Sequence, residues 1–431
     1  MDSSHRVAIV GGGFGGLYAA RALGKAGVRV TLIDRRNFHL FQPLLYQVAT
    51  GGLAPANIAA PLRAVLKRQK NTRVFLGDVT GFDLERRLVL LTDGSEPYDS
   101  LIVAAGSRHH YFGHPEWEKY APGLKTVEDA TAMRRMILSA FERAERCADT
   151  EERQALLTFV VVGGGPTGVE LAGALGEVAC ATLRGNFRSI DPSRSRILLL
   201  EGLDRILSTY PPKLSAKAVR SLTSLGVTVR TGTVVTDVQA DRVTVRSGDN
   251  TEVIRTRTML WGAGVQASPL AQELAKATGA EVDRAGRILV QPDLSLPGKP
   301  EVFVIGDMVN YSHQDGKPLP GVAQVAMQQG RYVADLIQRR LSGAAPVPFR
   351  YHDRGTMAPI GRAAAVADLG WIRLSGTIAW LIWLFIHILF LIAFQNRVLV
   401  MFQWAWNYFT RNRAARLITG TEAEAREKDR P

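Results

Sequence analysis

Hydrophobic positions along the chain fall into one layout that occurs twice. RVAIVGGGFGGLYAARAL (6–23) and TFVVVGGGPTGVELAGAL (158–175) each open on a β-branched run, cross a cluster of glycines and continue into a small-residue stretch rich in alanine and leucine. The pattern predicts strand, tight turn and helix in both places. A spacing of about 150 residues marks duplicated domains rather than solenoid repeats. Each copy is followed by a second apolar strand closing on an acid: VRVTLID ends at Asp34 and SRILLLE at Glu201. Strand–helix–strand units of this kind build a right-handed parallel sheet. YDSLIVAAG (98–106) and RTMLWGAG (257–264) read as strands returning to the two sheets, each ending in small residues that let backbone approach a ligand. EVFVIGDM (301–308) is expected to rejoin the first sheet, so that the second domain is inserted in the first.

The glycines carry the candidate chemistry. Gly11, Gly13 and Gly16 fit GxGxxG. The first makes the turn, the second lets backbone N–H groups reach a pyrophosphate, and the third lets the helix pack against the strand with its N-terminus facing the anion. Asp34 is placed to accept hydrogen bonds from a ribose diol. Gly163, Gly165 and Gly168 repeat the fingerprint, with Glu201 at the position of the acid. A carboxylate there repels a 2′-phosphate and favours NADH, while Arg205, four residues on, keeps NADPH open. Two dinucleotide folds imply two dinucleotides. Two nicotinamides have no useful reaction with each other, so one is a flavin. Gly306 and Asp307, after an apolar strand, suit the ribityl chain of FAD, and Ala105 and Gly106 end a strand beside the same site.

The fold class expected is therefore α/β, with two Rossmann-like dinucleotide-binding domains, the second inserted in the first, and a C-terminal helical region that anchors to a membrane. The FAD-binding domain is expected at 1–111 and 266–345 and the NAD(H)-binding domain at 112–265. The anchoring region is placed at 346–418, with 346–362 a linker or irregular cap. A charged, disordered tail is expected at 419–431. The formal net charge of +13 calls for a polyanionic partner. No basic stripe interleaved with stacking aromatics is present, which argues against nucleic acid and for an anionic membrane. Cys147 and Cys180 lie in no metal or CxxC spacing and fit a reduced, cytosol-facing protein without disulfides or a bound metal. The N-terminus, MDSSHRVAIV, reads as a strand without a signal peptide.

With these residues in view, the chain resembles the two-dinucleotide-binding-domain flavoproteins, and more narrowly the type II NADH dehydrogenases, non-proton-pumping NADH:quinone oxidoreductases of the respiratory chain. The resemblance spans nearly the whole chain and rests on FQPLLYQVATGGL (41–53), VVGGGPTGVELAGAL (161–175), LWGAGV (260–265), VFVIGDM (302–308) and, most specifically, AQVAMQQG (323–330). It implies that Gln324 and Gln328 face the quinone side of the flavin and that Ala323 touches the flavin through its backbone. It also implies that Glu170 serves proton handling near the nicotinamide and that Gly262, Ala263 and Gly264 border that ring. A glutamine pair four residues apart is usually a solvated face, and Glu170 near a helix start is also favoured by the helix dipole. The apolar residues around the glutamines, Val322, Ala323, Val325 and Ala326, point instead to a buried helix. No cysteine pair follows the first fingerprint, which excludes a disulfide reductase, and neither cysteine sits where a sulfide:quinone oxidoreductase needs one. No calcium loop is present. The implied partners are a membrane quinone and the bilayer surface, with a homodimer possible. The alternative is an NAD(P)H flavin reductase with a soluble acceptor such as ferredoxin. A membrane-bound nucleotide sensor without turnover is the non-enzymatic alternative.

IAWLIWLFIHILFLIAF (378–394) carries no formal charge, and as a helix would span ~26 Å, at the short limit for a bilayer core. In VLVMFQWAWNYFTRNRAARLI (398–418), Gln403, Asn407 and Arg411 form one polar stripe, and Arg411, Arg413 and Arg416 suit anionic lipid. A crossing helix would leave those arginines outside the cytosol, against the positive-inside tendency. The resemblance also implies monotopic attachment. An interfacial helix on the cytoplasmic side of the cell membrane is therefore favoured over a span, with His387 as a packing residue.

Overall fold

In the computed structural model, which describes residues 4–419, backbone contacts sort the chain into two units. The first takes in Met1–Leu40, Ala59–Arg108 and Val265–Asp353. The second takes in Phe41–Ile58, His109–Gly264 and Arg354–Pro431, and so includes the 41–58 stretch that the sequence reading puts in the first domain.

The first unit is built on a six-stranded sheet. Its order is Ser295–Leu296, Lys299–Val304, Ser100–Val103, Arg6–Val10, Arg29–Asp34 and Thr72–Leu76. The EVFVIGDM strand does rejoin it, running parallel to Ser100–Val103. Its strands are apolar runs because both faces are covered: Val7, Ala8, Ile9 and Val10 are all buried. The helices Phe14–Ala22 and Ala323–Leu341 pack together through glycine. A Cβ on Gly330 would stand 2.3 Å from the carbonyl oxygen of Gly15, so the two backbones touch.

The second unit has a four-stranded parallel sheet ordered Val227–Arg230, Arg196–Leu200, Thr158–Val162 and Thr258–Trp261. Its core gathers Val160, Leu198, Ile254 and the buried Trp261, whose ring lies 4.9 Å from Tyr111 and 5.8 Å from Trp117. Residues 346–362 are expected to be a linker or irregular cap; 346–355 carry no helix or strand, but the end of the range does not fit. Thr356–Gly361 is a strand, paired antiparallel with Ala364–Asp368, which pairs with Arg373–Gly376. Pro359 and Gly361 disguise it, since both residues normally interrupt strands. This small sheet lies on the helix Pro166–Glu177, where a Cβ on Gly173 would fall 1.6 Å from the Ile360 carbonyl oxygen.

The apolar 378–394 run does not form one helix. Thr377–Phe390 ends where Leu391 turns extended, and Phe394–Thr410 begins after Ala393 at φ +71°. Among the described residues no helix is long and apolar enough to cross a membrane. The second helix stops at Thr410 rather than continuing to 418, because Arg411 takes a left-handed conformation at φ +59°. His387 donates from Nδ1 to the Trp383 carbonyl at 2.8 Å and packs on that indole; burial lowers its pKa to about 4, keeping it neutral. Residues 420–431, most of the predicted tail, lie outside the described residues.

Gly330→Ala should destabilise the chain by about 1–3 kcal/mol, seen as a lower thermal midpoint, because backbone rather than a flexible side chain must move. Gly27→Ala, where a Cβ meets nothing within 4 Å, should stay within about 0.5 kcal/mol of the parent.

Candidate active site

The two fingerprints have matching geometry. Gly11 sits at φ +102°, and a Cβ there would lie 2.4 Å from the Ala104 carbonyl oxygen. Gly163 sits at φ +104°, 2.7 Å by the same measure from the Ala263 nitrogen. Gly16 and Gly168 each place a would-be Cβ 1.8 Å from the carbonyl oxygen of the first glycine in their turn. Gly13 and Gly165, the N-caps of their helices, would meet nothing within 4 Å. Each turn is thus closed on the protein side and open at the helix N-terminus, a cradle that fits a pyrophosphate.

The acids behave alike. Asp34 accepts from the Gly12 N–H at 2.5 Å and the Arg36 N–H at 2.7 Å; burial raises its pKa against the pull of these bonds. Glu201 accepts from the Gly164 N–H at 2.5 Å and the Leu203 N–H at 2.8 Å. Every carboxylate oxygen keeps a further lone pair for a ribose hydroxyl. Arg205 donates from its guanidinium to the carbonyls of Ser208 and Tyr210 in its own loop. Near the second turn, Gly262 donates to the Val162 carbonyl at 2.7 Å. Ala263 packs on the core, and Gly264, at φ +66°, leaves no room for a Cβ beside Phe112.

Around the first turn, Ala105 N–H points at the Met308 sulfur at 3.1 Å, and Gly106 at φ +70° accepts from Ser268 through its carbonyl. Gly306, at φ +76°, donates to the side chain of Gln329 at 2.7 Å, and Asp307 accepts from the Ser107 hydroxyl at 2.7 Å. Ala323 opens the Ala323–Leu341 helix with Gln324 beside it. Gln328 uses both ends of its amide on the backbone of His352, at 2.9 and 3.0 Å. Two residues of this region escape sequence reasoning. Gln329 is the buried partner of the Gly306 turn, and its signal is the third glutamine of AQVAMQQG, where a buried amide must be satisfied. His39, also buried, bonds the Gly12 carbonyl through Nδ1 at 2.9 Å, leaves Nε2 without a partner, and has its pKa lowered by burial to about 4.

Glu170 lies in the second unit, Gln324 and Gln328 in the first. Glu170 lines a cavity of 330 Å³ walled by the helices Leu45–Ala49 and Pro166–Glu177, the strand Thr356–Gly361 and both C-terminal helices. Tyr46, Gln47, Cys180, Trp380, Trp383 and Trp404 share the wall. Burial raises the Glu170 carboxyl well above the usual carboxylate range. Cys180 sits in a wide π-type turn, Val178–Thr182, that carries it to the cavity. Two of the arginines expected to meet lipid turn inward. Arg413 pairs with Glu177 and donates to the Thr50 hydroxyl at 2.7 Å, and Arg416 bonds the carbonyls of Arg413 and Thr182. The left-handed residue at 411 reverses the chain and so redirects them. Of the polar stripe on the last helix, Asn407 faces protein and donates to the Gly52 carbonyl at 3.2 Å, while Arg411 is exposed. No His, Cys, Asp and Glu cluster suited to a metal occurs among the described residues.

Comparison with known proteins agrees with both halves of the chain. Residues 5–330 match the model of the pyridine nucleotide-disulphide oxidoreductase family, and residues 353–412 match the NDH2 C-terminal domain. The chain is similar to the type II NADH:quinone oxidoreductases Ndh and NdhA of Mycobacterium tuberculosis. It is 46% identical to Ndh over 98% of this chain and 92% of that protein, and 46% identical to NdhA over 99% and 92%. The structure of NDH2 from Plasmodium falciparum in complex with NADH superimposes with a TM-score of 0.87 at 20% identity, covering 97% of this chain and 100% of that one, a likeness of fold. The chain belongs to the type II NADH:quinone oxidoreductase family.

Proposed function

We infer that this chain, an FAD-dependent NADH:quinone oxidoreductase, works on the surface of a lipid bilayer and receives its quinone there. The observation that carries this reading is the outward face of the C-terminal helix pair. Ile378, Leu381, Phe385 and Leu389 form an exposed row on one helix, and Leu399, Phe402, Trp406 and Phe409 form one on the next; Phe409 is 80% exposed. Helices that turn polar groups inward and aromatic groups outward suit a lipid interface, not water. A reductase for a soluble acceptor has no use for such a face. The net charge of +13 suits an anionic leaflet, and the need for cytosolic NADH favours the cytoplasmic side.

The residue roles follow from the site. Gly11, Gly13, Gly16 and Asp34, with Ala105, Gly106, Gly306, Asp307 and Ala323, would hold FAD without a covalent bond. Gly163, Gly165, Gly168, Glu201 and Gly262 to Gly264 would hold NADH. FAD, when bound, would supply the two-electron redox chemistry that links NADH oxidation to reduction of a quinone, with the quinol's protons taken up and none pumped. Glu170, held above the usual carboxylate range, keeps a proton to higher pH than an ordinary glutamate and is assigned to proton handling. Gln324 and Gln328 are assigned to the quinone side of the flavin. The 330 Å³ cavity, walled by the helices that bear the apolar face, is assigned as the route by which quinone leaves the membrane.

Glu201→Ala should raise the KM for NADH by about tenfold or more and narrow the preference over NADPH, as steady-state kinetics with the two nucleotides would show. Replacing Phe385, Phe402 and Trp406 by serine should cut co-sedimentation with mixed zwitterionic and anionic phospholipid vesicles by at least about tenfold, with FAD retained. Undiminished binding to vesicles would remove the bilayer from the proposal.

A further inference from the structure

The polar side chains between the last helix and the Leu45–Ala49 helix form a directed chain of hydrogen bonds. Trp404, 8% exposed, donates its indole N–H to Gln47 Oε1 at 2.7 Å. An indole can only donate, so the carboxamide oxygen of Gln47 must face it and the NH₂ group must face away. That NH₂ group donates to the Tyr46 hydroxyl at 3.0 Å. The phenol oxygen is thereby an acceptor, and its own hydrogen must go elsewhere. Among the described residues it has no acceptor. Tyr46 lines the cavity that holds Glu170.

We propose that Tyr46 donates a hydrogen bond to a carbonyl oxygen of the quinone in this cavity, and that Trp404, acting through Gln47, fixes the direction of that donation. This rests on the assignment of the cavity as the quinone's route. The phenol suits the task. It is buried, and burial pushes its pKa far above the ordinary tyrosine range, so it stays a donor throughout physiological pH. Its backbone is held as well: Thr50 bonds the Tyr46 carbonyl through N–H and hydroxyl, and Arg413 grips the Thr50 hydroxyl. Asn407 and the Ala415 N–H hold the carbonyls of Gly52 and Gly51. The C-terminal segment that carries the lipid-facing row thus also positions a donor in the cavity. A donor aimed at an oxygen that gains charge during reduction acts more on kcat than on KM.

The test uses full-length protein in detergent, reduced anaerobically with NADH and mixed with a short-tailed 1,4-benzoquinone. Tyr46→Phe should slow flavin re-oxidation about tenfold, mostly through kcat, while reduction by NADH and FAD content hold. Trp404→Phe, which keeps an aromatic ring but frees Gln47 to turn, should slow the same step. The double variant should be no slower than Tyr46→Phe, since both remove one interaction. Additive losses would overturn the positioning role of Trp404. Parent-like re-oxidation of Tyr46→Phe, in a protein where Ala181→Trp blocks the cavity and stops quinone turnover, would overturn the donor itself. If Ala181→Trp also turns over normally, the cavity is not the quinone's route, and the assignment beneath the proposal fails.

Discussion

Backbone meets backbone in this chain wherever a glycine removes the Cβ that would keep them apart. Gly16 on Gly11 and Gly168 on Gly163 close the two fingerprint turns. Gly330 on Gly15 seats the glutamine-bearing helix against the first fingerprint helix, and Gly173 on Ile360 seats the C-terminal sheet against the second. A Cβ at any of these points would stand between 1.6 and 2.3 Å from a carbonyl oxygen, far inside van der Waals contact. The fingerprint turns, the Gln324 and Gln328 helix and the wall that encloses Glu170 all hang on these close approaches, because main chain cannot yield as a side-chain tip can.

The C-terminal helices reverse the usual amphipathic logic of a soluble protein. Asn407 and Trp404 spend their polar groups on the turn at Gln47–Gly52, and Arg413 spends its charge on Glu177. The large side chains left outside include an apolar row on each helix, with Gln395, Thr410 and Arg411 also exposed. That apolar face and the hydrogen bonds beneath it lie on opposite sides of the same helix, so under the proposed reading a bilayer contact would bear on the shape of the cavity.

Much of this was legible in the residues. Both fingerprints, their acids and the return of the 301–308 strand follow from periodicity and glycine placement, which depend on local sequence, while the helix bearing Gln324 and Gln328 is read from the apolar residues around them. The parts that were not legible depend on partners distant in the chain. Nothing near Pro359 says that a strand there is covered by Gly173. Nothing local to Arg413 says that it turns inward, since the reversal comes from one left-handed residue, Arg411, of a type that rarely adopts it. Gln329 and Gln328 are neighbours with different duties, one on the Gly306 turn and one on the His352 backbone, and the helix pattern does not separate them. Arg205 beside Glu201 leaves the nucleotide ambiguous in the sequence, and only the fold shows two of its N–H groups bonded within its own loop.

Two dinucleotide cradles in one chain make sense only if electrons pass from one ligand to the other and then to quinone. The most direct measurement is an anaerobic titration of the purified yellow protein with NADH, followed by addition of quinone. One equivalent of NADH should bleach the flavin fully, and one equivalent of quinone should restore its colour. A flavin that stays yellow in NADH, or that bleaches and is not restored by quinone, would contradict the proposed electron path.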